Sequence, residues 1–222
     1  MPTFAQNFSD MGSTRITIVR HGETEMNVAF ILQGHLDSPL TANGLKQAEM
    51  LAETIKTRKF DRFYSSDLGR AKLTANIINK DLQYEIVENV QLRERAFGIM
   101  EGLYLKDAKK ECPEVYEAYI TRDPGYDVPE GESLVKFSKR IMDELNFLAN
   151  KHVNQHILVV AHGGVLDCVI RNVFNINLQE KRAFTIRNTS VNTFLVENKN
   201  WILEEWGNIE HIQQGEALNE SN

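Results

Sequence analysis

The chain of 222 residues is long enough for one domain with a substantial core. Of its residues 42% are hydrophobic and 25% are charged, which excludes a disordered or fibrous protein. The formal net charge of −6 provides no general basic surface, so neither nucleic acid nor a membrane is an expected partner. Its two cysteines form no CxxC pair, a usage that suits a reducing cytoplasm.

Both ends of the chain are expected to lie outside the folded domain. Residues 1–14 lack the basic start and apolar stretch of a signal peptide, and no apolar run reaches membrane-spanning length. We therefore expect an N-terminal extension over 1–14, a single domain over 15–212 and a flexible tail over 213–222.

The first half of the chain alternates short apolar runs with helical patterns. Residues 15–19, RITIV, are β-branched and predict a buried strand. A helical pattern follows within 40–60, with Thr41 as a plausible N-cap. The remaining elements of this half are a strand over 60–66, a helix over 68–80 and a short strand near 84–88.

The second half continues the alternation after a different middle segment. Residues 104–130 are charged and interrupted by three prolines, which predicts short helices that form a lid or side wall. Strands alternating with helices imply a three-layer α/β/α sandwich around a mainly parallel sheet. The later elements are an amphipathic helix over 132–150, a buried strand over 156–161, a helix over 163–174 and two strands around a turn at Glu197–Asn200.

Two of the predicted strands end in the same chemistry. ITIVRHG and LVVAHGG each end in a histidine followed by glycine, at His21 and His162. Parallel strands bring their carboxyl ends to one edge of the sheet, where such folds bind ligands. Arg20 precedes the first histidine, and Arg70 falls in the first turn of a predicted helix. Together these side chains predict a phosphate pocket, because guanidinium groups pair with phosphate oxygens bidentately.

Each of these residues alone has an ordinary structural explanation. A strand-end histidine is usually a packed residue, and a lone Arg70 would form a surface salt bridge. Four polar groups crowded at one edge are hard to explain by packing. His152 and His156 have a metal-like spacing, but a helix end followed by a strand separates them, so no metal site is expected.

The segment VRHGETEMN resembles the phosphohistidine signature of the histidine phosphatase superfamily, the phosphoglycerate-mutase-like clan. Five further blocks are similar to those of the family and follow in the same order, so that the resemblance covers about residues 15–206. It implies a phosphoglycerate-mutase-like fold and catalysis without a metal or another cofactor. The blocks are QGHLDSPLTANGLKQA, YSSDLGRAKLTA, LRERAFGIMEG, PEGES and VVAHGGVL.

The resemblance also implies a role for each matching residue. His21 would be the nucleophile, His162 the second catalytic histidine and Glu94 the proton donor. Arg20 and Arg70 would clamp the phosphate and, by their charge, keep the nucleophile unprotonated. The phosphate and substrate side would further be lined by Asn27, Gln33, Gly34 and Gly163.

Three further expectations concern the surroundings of the pocket. The nucleophile's other ring nitrogen is expected to donate to a backbone carbonyl, which would fix the tautomer. From its position alone, Glu94 would be a solvated acid between Arg93 and Arg95. Residues 188–192, NTSVN, either approach the pocket or form an ordinary entry into a strand.

The resemblance favours a phosphatase over a mutase. Where the mutases carry a lysine, this chain has Leu105, with Lys106 one place late, and Arg122 stands alone where they carry paired arginines. A mutase must hold a substrate carboxylate and exclude water, and this chain lacks some of the residues that do so in the mutases. We expect hydrolysis of a small phosphorylated metabolite by a monomer or homodimer. The alternatives are a cofactor-dependent phosphoglycerate mutase, a phosphoprotein phosphatase and a non-catalytic phosphate-binding member of the fold.

Overall fold

A single six-stranded sheet organises residues 12–212, the part of the chain that the structure, a computed structural model, describes. The strands are β1 Thr14–Arg20, β2 Arg62–Ser65, β3 Ile86–Glu88, β4 His156–Ala161, β5 Val191–Glu197 and β6 Asn200–Asn208. Their order across the sheet is β3-β2-β4-β1-β5-β6. The first four strands in this order pair in parallel, whereas β5 is antiparallel to both β1 and β6. The prediction of a mainly parallel sheet is confirmed.

The predicted helices are present with small shifts at their ends, and one more helix accompanies them. The unpredicted helix, α1, begins after Thr24, whose side chain forms a reciprocal capping box with Asn27. It is too short to show a helical period in the sequence. The α-helices of the described residues are α1 Glu25–Ala29, α2 Ala42–Ile55, α3 Gly69–Leu82, α4 Leu105–Glu111, α5 Pro113–Ile120, α6 Leu134–Lys151 and α7 Gly163–Phe174.

Apolar side chains on both faces of the sheet produce the three layers. Ile16 and Ile18 of β1 belong to a core cluster with residues of α6 and α7. Val19 points to the other face and belongs to a cluster with residues of α2 and α3. Because successive side chains of a strand alternate between faces, one apolar strand supports both helical layers. The predicted α/β/α sandwich is therefore confirmed.

Strand β1 begins one residue before the predicted start of the domain at residue 15. Thr14, assigned by the sequence to the extension, is the first residue of β1 and is 1% exposed. Its hydroxyl donates to Ala149 O at 2.6 Å, which ties the start of the strand to α6. Residues 1–11 and the predicted tail over 213–222 lie outside the described residues. No helix within 12–212 has the length and apolar character of a membrane span.

Two local details match their sequence patterns. Thr41 caps α2 by accepting a hydrogen bond from Gly44 N at 2.9 Å, as predicted. The strand turn at Glu197–Asn200 also forms as predicted, and its two tip residues, Asn198 and Lys199, have φ angles of 51° and 65°. Positive φ at both tip residues is the geometry of a tight two-residue hairpin. The predicted lid segment, 104–130, contains the short helices α4 and α5.

Candidate active site

His21 and His162 lie side by side at the ends of adjacent strands. In the register of β1 and β4, Arg20 pairs with Ala161, so the next residue of each strand is a histidine. The two ring centroids are 5.3 Å apart, and the residues are 3% and 0% exposed. The prediction that the two His-Gly strand ends converge is confirmed.

His21 is held as a neutral imidazole with one nitrogen available. Its Nδ1 lies 2.7 Å from Gly22 O, and because a carbonyl only accepts hydrogen bonds, Nδ1 carries the proton. Burial, followed by the charges of Arg70 and Arg20, lowers the pKa of the ring well below its ordinary value. The Nε2 lone pair is therefore available for nucleophilic attack, and the expected tautomer is confirmed.

His162 is more deeply enclosed than its predicted role suggested. Its Nε2 lies 2.8 Å from Ser66 Oγ, and its Nδ1 has no hydrogen-bond partner among the described residues. Burial and the charge of Arg70 lower the pKa of this ring well below its ordinary value as well. The His162 side chain does not line the cleft, so its direct contact with phosphate stays a prediction.

Arg20 and Arg70 are both buried, each 2% exposed, and both line the same cleft as His21. The protein holds them by their terminal nitrogens: Arg20 donates to Ile186 O, and Arg70 donates to Gly34 O and Leu36 O at 2.8 Å each. The Nε atoms of both guanidinium groups have no partner within 12–212. Burial lowers the pKa of Arg20 to about 10, so it stays charged at neutral pH. Two buried cations with unused donors favour binding of an anion.

Asp37 orients Arg70, a role that the sequence did not reveal. The N-cap residue of α3, Leu68, has no capping side chain, and Asp37 takes its place by accepting from Gly69 N at 2.7 Å. The same carboxylate accepts from the Arg70 backbone N and from its Nη1, both at 3.3 Å. One loop residue therefore fixes both the helix start and the arginine that the helix presents.

Glu94 is part of the cleft and is not a solvated surface acid. Its Oε2 accepts from Gly164 N at 2.9 Å, in the first turn of α7, and its Oε1 accepts from Arg95 N at 2.8 Å. Its backbone carbonyl accepts from His35 Nε2 at 2.9 Å and from Arg140 Nη2 at 3.3 Å. The carboxyl group is therefore fixed at the edge of the cleft, with Gly164 beneath it.

The other predicted substrate-side residues also line the cleft: Asn27, Gln33, Gly34 and Gly163. Gly34 has a φ of 52°, and a side chain there would meet the Glu101 carboxylate, which accepts from Phe97 N at 2.9 Å. Gln33 Oε1 is buried without a partner among the described residues. Of these residues, Gly34 contacts Arg70 through its carbonyl, and Gly163 lies beside Arg20.

Asn188 resolves the question that residues 188–192 left open. Its Nδ2 donates to His21 O at 3.0 Å and reaches Asn27 Oδ1 at 3.4 Å. The segment therefore approaches the pocket and supports the loop that carries His21. Asn188 is 2% exposed, and its Oδ1 has no partner within the described chain.

The cleft has a volume of about 710 Å³ and includes walls that sequence reasoning missed. Residues 178–186 contribute one wall. Two adjacent basic residues there, Lys181 and Arg182, could have indicated an anion-binding segment in this acidic chain. Arg95 and Arg122, from two different segments, both line this cleft. The described residues hold no group of three or more His, Cys, Asp or Glu placed to bind a metal ion.

Known proteins match this sequence over nearly the whole chain. A metal-independent phosphoserine phosphatase of Arabidopsis thaliana is 38% identical over 202 residues, which cover 90% of this chain and 83% of the relative. Phosphoglycerate mutase-like protein 4 of the same plant is 39% identical over 209 residues, with coverage of 92% and 90%.

Solved structures agree with the sequence comparison. The crystal structure of a phosphoserine phosphatase from Entamoeba histolytica, in complex with 3-phosphoglyceric acid, matches with a TM-score of 0.76 at 30% identity. The match covers 89% of this chain and 98% of that structure. The family model of the histidine phosphatase superfamily (branch 1) matches residues 16–209. The chain therefore belongs to the histidine phosphatase superfamily.

Proposed function

We propose that the protein hydrolyses a small phosphomonoester through a phosphohistidine on His21, with Glu94 as the proton donor. The observation that carries this proposal is the neutral His21 ring beside two buried arginines whose Nε atoms are unused. A nucleophile with a free lone pair and two fixed cations are what transfer of a phosphoryl group requires.

In the first step, His21 Nε2 attacks phosphorus and the bond from phosphorus to the substrate oxygen breaks. Glu94, in its carboxylic acid form, gives its proton to that oxygen, so an alcohol leaves. Arg20 and Arg70 stabilise the negative charge on the three equatorial phosphoryl oxygens. The ring centroid of His162 lies 5.3 Å from that of His21, so its imidazole also lies close to the phosphoryl group and helps to stabilise its charge.

In the second step, water attacks the phosphorus of phospho-His21 and the nitrogen–phosphorus bond breaks. Glu94, now a carboxylate, takes a proton from the water, which restores its acid form. His21 recovers its lone pair, and inorganic phosphate leaves. The net reaction consumes one water and one phosphomonoester for each alcohol and phosphate released.

The names of the relatives support a small metabolite as the substrate. One relative is called a phosphoserine phosphatase, and another is called phosphoglycerate mutase-like. The second name keeps a mutase as the alternative function, since a mutase would return the phosphoryl group from His21 to a second hydroxyl of the same molecule.

Release of nitrophenol from p-nitrophenyl phosphate tests the proposal directly. We expect wild-type turnover, and a loss of about 10³-fold or more in His21→Ala. His156→Gln is the matched control, because that histidine bonds Thr17 and does not line the cleft. Equal rates in wild type and His21→Ala would refute the assignment of His21 as the nucleophile.

A second assay separates phosphatase from mutase. The enzyme is incubated with 3-phosphoglycerate and a trace of 2,3-bisphosphoglycerate, and phosphate release is compared with formation of 2-phosphoglycerate. We expect phosphate release. Fast isomerisation without phosphate release would establish the mutase instead.

The cellular context is also a proposal. A cytoplasmic location is supported by the two cysteines, Cys112 and Cys168, which are buried and unpaired. The only partner we propose is the phosphorylated substrate, acted on by a monomer or homodimer. Cell fractionation and sedimentation of the purified protein test the two points.

A further inference from the structure

Thr189 adopts a backbone conformation that its residue type disfavours. Its φ is 55°, in the left-handed region, where a side chain branched at Cβ crowds the backbone. The residue is 0% exposed. A strained backbone angle persists only where surrounding contacts fix it, and such residues cluster at functional sites. The contacts of Thr189 are therefore a guide to its role.

In this conformation the backbone N–H of Thr189 faces the end of β1. It donates to Arg20 O at 3.0 Å and reaches His21 O at 3.4 Å. Asn188 Nδ2 also donates to His21 O, at 3.0 Å. From the opposite side, His21 N donates to Ala161 O at 3.0 Å. The backbone of His21 is therefore held between β4 and the segment that precedes β5.

The position of this backbone sets the position of the His21 imidazole. Nδ1 of the ring donates to the carbonyl of the next residue, Gly22, at 2.7 Å, so the ring is tied to the backbone beside it. A shift of the backbone therefore moves Nε2, the nitrogen proposed to attack phosphorus. The rate of such an attack falls steeply when the reacting atom is displaced.

The side chain of Thr189 is held in turn by His211, from the turn that follows β6. Thr189 Oγ1 donates its one hydrogen to Asn188 O at 2.8 Å, so it accepts from His211 Nε2, which lies 3.0 Å away. Burial lowers the pKa of His211 to about 4, which keeps its ring neutral at neutral pH. The turn is closed by a hydrogen bond from Ile212 N to Ile209 O at 2.8 Å, and Ile212 is buried.

We propose that Thr189 and His211 are positioning residues, which hold the backbone of His21 so that Nε2 lies in line with the bond to be broken. Neither of the two residues lines the cleft, so both act through the His21 backbone and not through the substrate. The proposal rests on the proposed function, because Nε2 must be the attacking atom. It makes a hydrogen bond beyond the last strand a determinant of the rate.

Steady-state kinetics with p-nitrophenyl phosphate test this bond from both sides. His211→Phe keeps a planar ring without the donor and is expected to lower kcat about tenfold, with KM within about twofold of wild type. His211→Gln supplies an amide N–H in its place and is expected to restore kcat to within about threefold. Thr189→Val keeps the branched shape without the hydroxyl and should match His211→Phe. The double variant should then be no slower than either single variant.

His156→Phe is the matched control, because it removes a hydrogen bond of the same kind away from the nucleophile. His156 begins β4, at the end of the strand opposite to His162, and its Nε2 lies 2.8 Å from Thr17 Oγ1. Neither His156 nor Thr17 lines the cleft. This variant is expected to lower the melting temperature, as His211→Phe does, and to leave kcat unchanged.

Hydrogen–deuterium exchange provides a measurement that does not depend on turnover. In His211→Phe, peptides that contain residues 20–24 and 187–190 should exchange at least about threefold faster than in wild type, and neither should change in His156→Phe. Faster exchange at 187–190 alone would show that His211 supports only its own neighbourhood, which would overturn the proposal.

The outcomes separate this proposal from the proposed function. A wild-type kcat in both His211→Phe and Thr189→Val, or an equal loss of kcat in His211→Gln and His211→Phe, would overturn the positioning role and leave the phosphatase intact. A loss of kcat in His156→Phe as large as that in His211→Phe would do the same. No hydrolysis by the wild type would overturn the proposed function, whereas exchange at residues 20–24 would still decide whether His211 holds the His21 backbone.

Discussion

The carboxylate of Glu94 accepts a hydrogen bond from Gly164 N at 2.9 Å, two residues beyond the second histidine of the site. A methyl group at Gly164 would lie 2.0 Å from Glu94 Oε1. Gly164→Ala is therefore expected to displace Glu94, the proposed proton donor, and to lower kcat by about 100-fold. Gly163→Ala provides the comparison, since its new methyl would come no closer than 3.5 Å to Arg20 Nε. Steady-state kinetics with both variants check this, and near-normal kcat in Gly164→Ala would contradict it.

Gly34 combines a left-handed backbone with a close neighbour. Its φ is 52°, and an added methyl would lie 2.0 Å from Glu101 Oε1. Gly207 has a φ of 63° but nothing within 4 Å of the added group, so Gly207→Ala isolates the backbone cost of about 1–2 kcal/mol. We expect both variants to lower the melting temperature and only Gly34→Ala to lower activity, by about tenfold or more. Equal activity in the two would show that the Glu101 contact does not matter.

The buried histidines make stability depend on pH. Since the folded state lowers the pKa of His21 and His162, both rings stay neutral while the unfolded chain binds protons below about pH 6.5. The contribution of these two rings to the free energy of unfolding should therefore be constant above that pH and fall below it, by about 1.4 kcal/mol per pH unit for each ring. Urea unfolding at several pH values measures the slope.

The same measurement on variants assigns the slope to its source. His21→Gln and His162→Gln each remove one titrating ring, so each is expected to flatten the dependence between about pH 6.5 and 5.5. An unchanged slope in both variants would mean that protonation of these two rings does not cause the loss of stability at low pH.

Asp37 links the start of α3 to Arg70, a proposed phosphate-binding residue. Asp37→Ala removes the acceptor of Gly69 N and of Arg70 Nη1. The lost cap is expected to cost about 1 kcal/mol of stability, and the loosened guanidinium to raise KM for p-nitrophenyl phosphate several-fold. Asp127→Ala is a suitable control, because it breaks an exposed pair with Lys136 away from the cleft. A KM unchanged in Asp37→Ala would assign the carboxylate to the helix alone.

Local patterns predicted the parts of the fold that depend on local physics. Apolar runs such as 156–161 and the cap at Thr41 carry their structure in a few neighbouring residues. Convergence of His21 and His162 followed from one further rule, that parallel strands end at the same edge. The short helix α1 was missed because five residues show no period.

Local sequence patterns could not predict the contacts that support the site. Asp37 reaches Arg70, and Ser66 reaches His162, across long separations in sequence. The wall at 178–186 has no regular secondary structure, and a hydrogen bond from Arg171 Nη2 in α7 to Glu180 O, at 2.9 Å, ties it to the rest of the fold. The family resemblance, and not their neighbours in the sequence, identified Glu94, Gln33 and Gly34 in advance as residues of the cleft.

The pairing of β1 with β4 separates the chemistry of this enzyme from its choice of substrate. Hydrogen bonds between these two neighbouring strands bring the imidazoles together, and neither strand pairs with the α4–α5 region. Insertions, deletions or exchanges within the α4–α5 region can therefore reshape what enters the cleft while phosphoryl transfer continues unaltered. A new specificity can be acquired on this framework without rebuilding the reaction.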